Sequence, residues 1–117
     1  MIAYKKLDVW RKSHELTLGV YNLTKQFPKD ETYGLTSQIR RASASISTNI
    51  VEGASYKSQK EFGRFLQIAI GSASEVEYQL ELAKDLKYIS EIQYKEFSEK
   101  IVIVRKMLIS LSKSLKK

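Results

Sequence analysis

The stretch GLTSQIRRASASISTNIVEG, residues 34–53, decides how the rest of this chain must fold. Its apolar residues recur at steps of three and four, which is the spacing of one face of an amphipathic helix. Alanine and serine fill residues 42–45, and side chains this small let a neighbouring helix come close. We therefore predict a central helix that is packed on more than one side and is stopped by Gly53, because glycine often follows the last helical turn.

The segment before this stretch predicts a first helix, from Asp8 to about Gln26. Asp8 is the expected N-cap, since its carboxylate can accept a hydrogen bond from a free N–H of the first turn. Pro28 ends the helix because its ring disfavours helical backbone at the residue before it. Asp30 or Thr32 is then the expected N-cap of the central helix.

Two capping-box motifs follow, each a serine with a glutamate or glutamine three residues later. Ser58 and Glu61 begin a third helix that runs to about Leu86, and Ser90 and Gln93 begin a fourth. Apolar residues hold a heptad spacing in both helices: Phe62, Leu66, Ala69, Ala73, Val76, Leu80 and Ala83 in the third, and Phe97, Ile101, Val104, Leu108, Leu111 and Leu115 in the fourth. Four long helices with short links predict an all-α, up-down-up-down antiparallel four-helix bundle, with residues 1–117 as a single domain.

The register between the second and third helices can also be predicted. Their short link makes them antiparallel, so that positions whose numbers add up to roughly 111–113 should face each other. This pairing puts residues 42–45 against Gly71 and its neighbours, and a glycine in a helix interior costs about 1 kcal/mol unless a close approach offsets it. The same register brings Glu75 near Gln38 and Arg41, and we predict a partly buried polar pair between Arg41 and Glu75.

Catalytic and metal-binding motifs are missing from the sequence. Without cysteine there can be no disulfide, thiolate metal site or cysteine nucleophile. His14 is the one histidine, which excludes a histidine cluster, and we interpret it as a residue of the helix face rather than as the base of a Ser-His-Asp set. Neither a phosphate-binding P-loop motif nor a GxGxxG motif occurs. We therefore predict a protein that is not an enzyme and has no cofactor and no metal site.

Membrane insertion is not predicted. The N-terminal sequence MIAYKKLDVW lacks an apolar core of signal-peptide length. The longest uncharged run, residues 65–74, is shorter than the roughly 20 residues that span a bilayer. We expect a cytoplasmic protein without a membrane partner.

The first and third helices each carry more apolar surface than a bundle core needs. On the first helix, a second stripe contains Leu7, Trp10, His14, Leu18 and Tyr21. This stripe indicates either a wide core-facing surface or a surface buried against another subunit. Trp10, Leu18 and Tyr21 are the predicted interface residues, because aromatic side chains commonly anchor interfaces. The stripes alone predict a homo-oligomer without specifying the number of subunits.

Charge points to a class of partner. The net charge is +7 and the sequence pI is near 9.6, and such a basic excess favours polyanions such as nucleic acid. The bundle topology collects residues 1–16, 44–70 and 104–117 at one end, where twelve basic and four acidic residues leave +8, against −1 at the other end. The predicted phosphate contacts are Lys5, Lys6, Arg11, Lys12, Lys57, Lys60, Arg64, Lys113, Lys116 and Lys117, and Tyr56 is available to stack on a base. The alternative is a solvated basic end that has no ligand.

Four blocks of the sequence carry a resemblance to a known family: LDVWRKSHEL, VYNLTKQFP, YGLTSQIRRASASISTNIVEG and FGRFLQIAIGSASEVEYQLELA. In their order and spacing, over about residues 4–89, they resemble the four-helix bundle proteins that are also called 23S rRNA intervening-sequence proteins. The resemblance implies a small all-α bundle of a type often encoded inside bacterial large-subunit rRNA genes. The family is similar to the accessory protein of diversity-generating retroelements, which implies a basic pentameric ring that binds nucleic acid and a reverse transcriptase. No catalytic residue is implied.

The sequence and the resemblance together predict a non-enzymatic, oligomeric bundle that binds RNA or DNA through its basic end. The alternative is a structural or protein-binding module, for example an accessory partner of a reverse transcriptase, whose basic surface is incidental. Salt dependence separates the two, because phosphate contacts release counterions and weaken steeply as salt is added.

Overall fold

Four α-helices joined by short connections form the computed structural model, which describes residues 1–115. The helices are α1 (Asp8–Leu23), α2 (Leu35–Ala54), α3 (Gln59–Asp85) and α4 (Glu91–Ser114), with short 3₁₀ turns at Tyr4–Lys6, Thr24–Gln26 and Lys29–Glu31. Residues 1–115 contain no strand. The predicted all-α class is confirmed.

Packing between successive helices gives the topology. The hydroxyls of Ser13 in α1 and Ser47 in α2 lie 2.9 Å apart, and those of Ser45 in α2 and Ser72 in α3 are also 2.9 Å apart. Each helix packs on the next, α4 returns to α1, and the contact between α2 and α3 is the most extensive. Since the short connections reverse the chain each time, the predicted up-down-up-down antiparallel bundle is confirmed, with extents of 44 × 24 × 20 Å.

The core lies along the predicted heptad positions. Ile46, at the centre of α2, has no exposed surface. The heptad positions of α3 are buried across residues 62–83, and those of α4 are buried across residues 97–108. Leu111 and Leu115, which continue the α4 heptad, are only half-buried because they line shallow grooves at the end of the bundle.

The predicted cap of α1 is wrong. Asp8 is the first residue of the helix rather than its N-cap, and its carboxylate pairs with Arg11, one turn later. At the other end α1 stops at Leu23, and a 3₁₀ turn carries the chain on to the predicted end at Gln26. A carboxylate in the first turn still favours the helix, because it lies near the positive end of the helix dipole.

The predicted cap of α2 is also wrong. The helix begins at Leu35, whose N–H donates to the carboxylate of Glu31 at 3.0 Å. Neither Asp30 nor Thr32 caps the helix, because both lie in the turn that precedes it. The carboxylate of Glu31 also accepts a hydrogen bond from the Tyr88 hydroxyl at 2.8 Å. This acidic side chain therefore ties the start of α2 to the segment between α3 and α4.

Hydrogen bonds to the Glu31 carboxylate shift the pKa of Glu31 and the pKa of Tyr88. The pKa of Glu31 is lowered, first by the bond from the Leu35 N–H and then by the bond from Tyr88. The pKa of Tyr88 is raised, chiefly because its hydroxyl donates to the Glu31 carboxylate. The hydrogen bond between the two side chains contributes to both shifts and favours an ionised glutamate beside a protonated tyrosine.

Of the two predicted capping boxes, the one at α4 is complete. Ser90 Oγ accepts from the Gln93 N–H at 3.1 Å, and Gln93 Oε1 accepts from the Ser90 N–H at 2.9 Å. At α3, Ser58 Oγ accepts from the Glu61 N–H at 3.2 Å, but the return bond is missing. The Glu61 carboxylate is engaged elsewhere, at 2.9 Å from Arg64 Nε.

Gly53 does not stop α2. The helix continues to Ala54, and the backbone at Gly53 is not left-handed. A Cβ placed at Gly53 would lie 2.8 Å from Phe62 Cδ1 and 2.9 Å from Phe65 Cβ. Glycine is therefore required here by packing, since these two side chains of α3 press against the backbone of α2.

The predicted register between α2 and α3 is wrong by about one helical turn. Ser45 faces Ser72, and Gly53 faces Phe62, because the first turn of α3 extends beyond the end of α2. Every later residue of α3 is displaced along α2 by about the same helical turn. Gly71 is consequently exposed, with no atom within 4 Å of a Cβ placed there, so the predicted close approach at this glycine does not occur.

The predicted pair between Arg41 and Glu75 does not form. Both side chains are exposed and line a shallow groove between α2 and α3. Glu75 Oε2 accepts instead from Gln79 Nε2, one turn further along α3, at 3.2 Å. Because both charges reach solvent, a direct ion pair between them would contribute little.

Candidate nucleic-acid interface

Three separate segments of the chain meet at one end of the bundle, as the topology predicted. The N–H of Ile2 donates to the carbonyl of Ala54 at 2.9 Å, which joins the N-terminal segment to the end of α2. The start of α1 and the start of α3 each share a groove with the end of α4. These segments, residues 1–16, 44–70 and 104–115, are together termed the basic end.

Lys57 and Lys60 lie at the turn between α2 and α3, and both are exposed. Ser58, between them, is the N-cap of α3, and its Oγ accepts a hydrogen bond from the Glu61 N–H. Within residues 1–115, neither lysine has a carboxylate inside the 4.0 Å limit of an ion pair. Their ammonium groups are therefore accessible to an anionic ligand.

The two predicted arginines of the basic end already have acidic partners. Arg64 bonds to Glu61, and this bond raises the pKa of Arg64. Arg11 pairs with Asp8 and also donates to the carbonyl of Lys5 at 3.0 Å. Because intrahelical pairs on an exposed surface are weak, a phosphate could compete for either guanidinium.

The remaining predicted lysines are distributed around the same end. Lys5 and Lys6 lie in the turn before α1, Lys12 lies on α1 and Lys113 on the last turn of α4, and all four are exposed. The predicted contacts Lys116 and Lys117 lie outside the described residues. Arg105, which contributes to the calculated charge of this end, lies 3.3 Å from Glu77 of α3 and is partly neutralised by it.

Tyr56 lies in the turn beside Lys57 and stacks on Phe65 of α3. The two ring centroids are 5.4 Å apart, and the ring planes differ by 19°. The guanidinium carbon of Arg64 lies 4.9 Å from the centroid of the same Phe65 ring. Tyr56 is 45% exposed, so part of its side chain is open to solvent beside Lys57.

The predicted interface residues of α1 differ in their surroundings. Leu18 is 59% exposed and Tyr21 is also exposed, with the Arg40 guanidinium 4.8 Å from the centre of its ring. Trp10 is half-buried, because Tyr4 packs edge-on against it and His14 stacks on it. Leu18 and Tyr21 thus lie on an outer surface, whereas Trp10 chiefly holds the N-terminal segment on α1.

The outer faces of α3 and α4 carry further exposed apolar side chains that the sequence reasoning did not single out as interface residues. Ile68 and Tyr78 of α3 are exposed, as are Ile92 and Ile103 of α4. In the sequence, these residues could have been recognised as apolar side chains outside the heptad positions of an otherwise amphipathic helix.

Two classes of site are absent from the described part of the molecule. No helix there is both long enough and apolar enough to cross a membrane. Nor does any group of three or more histidine, cysteine, aspartate or glutamate side chains come together there in a way that could hold a metal ion.

Comparison with known proteins gives the family. The family model described as 23S rRNA-intervening sequence protein matches residues 5–110. A crystal structure of a protein with unknown function from the S23 ribosomal protein family, from Bacteroides thetaiotaomicron, is 32% identical in sequence. The match covers 90% of this chain and 95% of that chain, with a TM-score of 0.82. No curated protein matches the chain. The extent of the family match means that this chain belongs to the 23S rRNA intervening-sequence protein family.

Proposed function

We propose that this protein is a non-enzymatic, self-associating helical bundle that binds nucleic acid through the basic end. The observation that carries the proposal is the collection of exposed lysines from three separate segments at this end. Lysines that are far apart in sequence but share one surface can contact several phosphates of one ligand. The association of the family with rRNA genes makes RNA the first ligand to test.

Accessible charge is the physical basis of the proposal. A cationic surface that neutralises phosphates releases condensed counterions, so affinity falls steeply with salt. Lys57 and Lys60 lack acidic partners within residues 1–115, and Lys113 adds an exposed charge at the end of α4. Binding of this kind depends on charge and position rather than on sequence-specific base contacts.

The test is a triple substitution of Lys57, Lys60 and Lys113 by glutamine. These positions are exposed, so the fold should be retained, and Arg64 is left unchanged because its substitution would also release Glu61. RNA affinity is measured by filter binding at several salt concentrations. The affinity should fall, and the slope of log K against log salt should decrease by up to about 2, since each phosphate contact on a single strand contributes about 0.7.

A matched control is available at the opposite end of the bundle. Substitution of Lys25, Lys29 and Lys95 by glutamine removes the same net charge from three other exposed positions. This control should keep both the affinity and the salt slope of the unsubstituted protein. An equal loss in the two triple variants would mean that net charge alone is responsible, and the proposed interface would be wrong.

Self-association is the second part of the proposal. It is supported by exposed apolar side chains on α1 and α3, of which Leu18 and Tyr78 are the most exposed. Large apolar side chains on an outer helix face commonly mark an interface. The family resemblance favours a ring of five subunits. Light scattering at micromolar concentration should therefore give a mass well above the 13.5 kDa of one chain.

Leu18→Glu tests which surface is used. A carboxylate at this position should lower the mass, because burying it against another subunit would require desolvation of a charge. Ile92→Glu, at an exposed apolar position in the first turn of α4, is the control and should leave the mass unchanged. A mass of 13.5 kDa for the unsubstituted protein would contradict self-association.

The second candidate function is a protein-interaction module with an incidental basic surface, for example an accessory partner of a reverse transcriptase. The exposed apolar side chains of α4, Ile92 and Ile103, favour it because the proposed self-association does not use them. Salt distinguishes the two functions. Apolar contacts with a protein partner would persist as salt is raised, whereas phosphate contacts would weaken.

A further inference from the structure

We infer that the basic end binds an unpaired segment of nucleic acid rather than a duplex, with one base stacked on the exposed part of the Tyr56 ring. This inference rests on the proposed nucleic-acid binding and specifies the form of the ligand. Its starting point is the combination of an exposed aromatic residue, Tyr56, with two accessible lysines within the next four residues.

The position of the Tyr56 ring is fixed by the bundle. Its stacking partner Phe65 packs against the backbone of Gly53, where a Cβ would come within 2.9 Å of Phe65 Cβ. The Tyr56 N–H donates to the carbonyl of Gly53 at 3.2 Å, which holds the turn against the end of α2. A ring supported in this way loses little conformational freedom when a base stacks on it, which favours binding.

The chemistry of the turn matches a single strand. Base–aromatic stacking needs a free π-face, and bases offer one when they are unpaired or splayed out, whereas bases inside a duplex are covered by their neighbours. Lys57 is adjacent to Tyr56 in the chain, and Lys60 lies in the first turn of α3. A strand whose base lies on Tyr56 therefore has ammonium groups beside it for its phosphates, which is the usual combination in single-strand binding sites.

The competing explanation for the position of Tyr56 is that its ring only shields Phe65 from solvent. Two variants distinguish this role from base stacking. Tyr56→Leu keeps an apolar side chain over Phe65 but removes the aromatic ring. Tyr56→Phe keeps the ring and removes only the hydroxyl. Each variant and the unsubstituted protein are titrated with a single-stranded RNA and with a blunt RNA duplex that carries the same number of phosphates, at one salt concentration.

The inference predicts that the unsubstituted protein prefers the single strand and that Tyr56→Leu weakens this binding by roughly 5- to 150-fold, the range expected for loss of one stacked base. Tyr56→Phe should bind the single strand as the unsubstituted protein does, and neither variant should change duplex binding. Equal loss for both RNAs, or no loss in Tyr56→Leu, would overturn the inference.

A wrong stacking site and a wrong proposed function would give different results in these titrations. If the RNAs bind with a salt-dependent affinity that Tyr56→Leu does not change, the proposed function stands and the stacking site is wrong. If the unsubstituted protein binds neither RNA, both are wrong. Circular dichroism melting of each variant, compared with the unsubstituted protein, establishes that any loss of binding arises in a folded bundle.

Discussion

Substitution of Gly71 by alanine should stabilise the protein. Gly71 lies inside α3 with ordinary helical backbone, and a Cβ there would meet no atom within 4 Å. Alanine in a helix interior is favoured over glycine by about 1 kcal/mol, because it loses less backbone freedom on folding. For a domain of this size, about 1 kcal/mol corresponds to roughly 4 °C in melting temperature.

Gly53→Ala is the matched control, because it adds the same methyl group to a helical glycine that is enclosed. The methyl carbon would lie 2.8 Å from Phe62 Cδ1 and 2.9 Å from Phe65 Cβ. The second of these atoms is attached to backbone and cannot rotate away. Overpacking of this kind costs about 1–3 kcal/mol, which equals or exceeds the propensity gain.

The comparison of the two variants isolates the steric contribution, since the change in helix propensity is nearly common to both. Thermal and denaturant melts followed by circular dichroism should give Gly71→Ala the higher free energy of unfolding by about 1–3 kcal/mol. A Gly71→Ala variant that is less stable than the unsubstituted protein would refute the reasoning. So would a Gly53→Ala variant as stable as Gly71→Ala, because the register of α3 on α2 would then differ from the one described.

Further predictions concern polar groups in the fold. Because the pKa of Glu31 is lowered on folding, its stabilising contribution is present above the ordinary pKa of about 4.3 and is lost as pH falls through the lowered value. Acid titration of the melting temperature should therefore be shallower in Glu31→Gln. The raised pKa of Tyr88 acts in the opposite sense: its contribution is present below about pH 10 and is lost as pH rises through the raised value. Gln79→Met should leave the free energy of unfolding unchanged or raise it by up to about 1 kcal/mol, because it removes the buried Gln79 Oε1, which has no hydrogen-bond partner in the described structure, while the bond it breaks to Glu75 frees an exposed carboxylate that water can solvate. A lower denaturant midpoint for Gln79→Met would contradict this prediction.

The sequence was sufficient for the number, order and buried faces of the helices. Apolar spacing is repeated over many residues, so a single exception such as Leu115 does not obscure the face. The complete capping box at Ser90 and Gln93 was also recognisable, because both partners lie within four residues. Signals of this kind are local or repeated, and tertiary packing does not overturn them.

Features that depend on a single contact were harder to predict. Asp8 and Thr32 are residue types that commonly cap the start of a helix, and Gly53 is a type that commonly follows its last turn. None of the three has that role here. A glycine has no side chain that reveals which way it faces, so the sequence could not distinguish an exposed Gly71 from an enclosed Gly53. That distinction follows from how far α3 extends beyond α2, which the length of the link did not determine.

For the candidate site, topology alone was enough to bring the basic segments together. The sequence reasoning did not anticipate that Arg64 and Arg11 are engaged by Glu61 and Asp8, although each pair has the three-residue spacing that allows contact on a helix. The stacking of Tyr56 on Phe65 was also missed, since these residues belong to different elements. In each case the sequence did not show which way a side chain points, whereas the positions of the helices were predicted.

The paired hydroxyls between the helices affect how uniquely the chain folds. The hydrogen bond between Ser13 and Ser47 contributes only about 0.5–1.5 kcal/mol net to the native state, while a buried hydroxyl left without a partner costs about 1–3 kcal/mol. If α2 slid one turn along α1, its apolar side chains would still meet apolar neighbours, but the Ser47 hydroxyl would lose its partner, whereas Ser13 would keep its bond to the Trp10 carbonyl. The serines therefore act mainly against misaligned bundles. A chain with alanine in place of Ser13 and Ser47 would keep much of its stability. It would lose part of the free-energy difference between the native alignment of α1 with α2 and an alignment shifted by one turn.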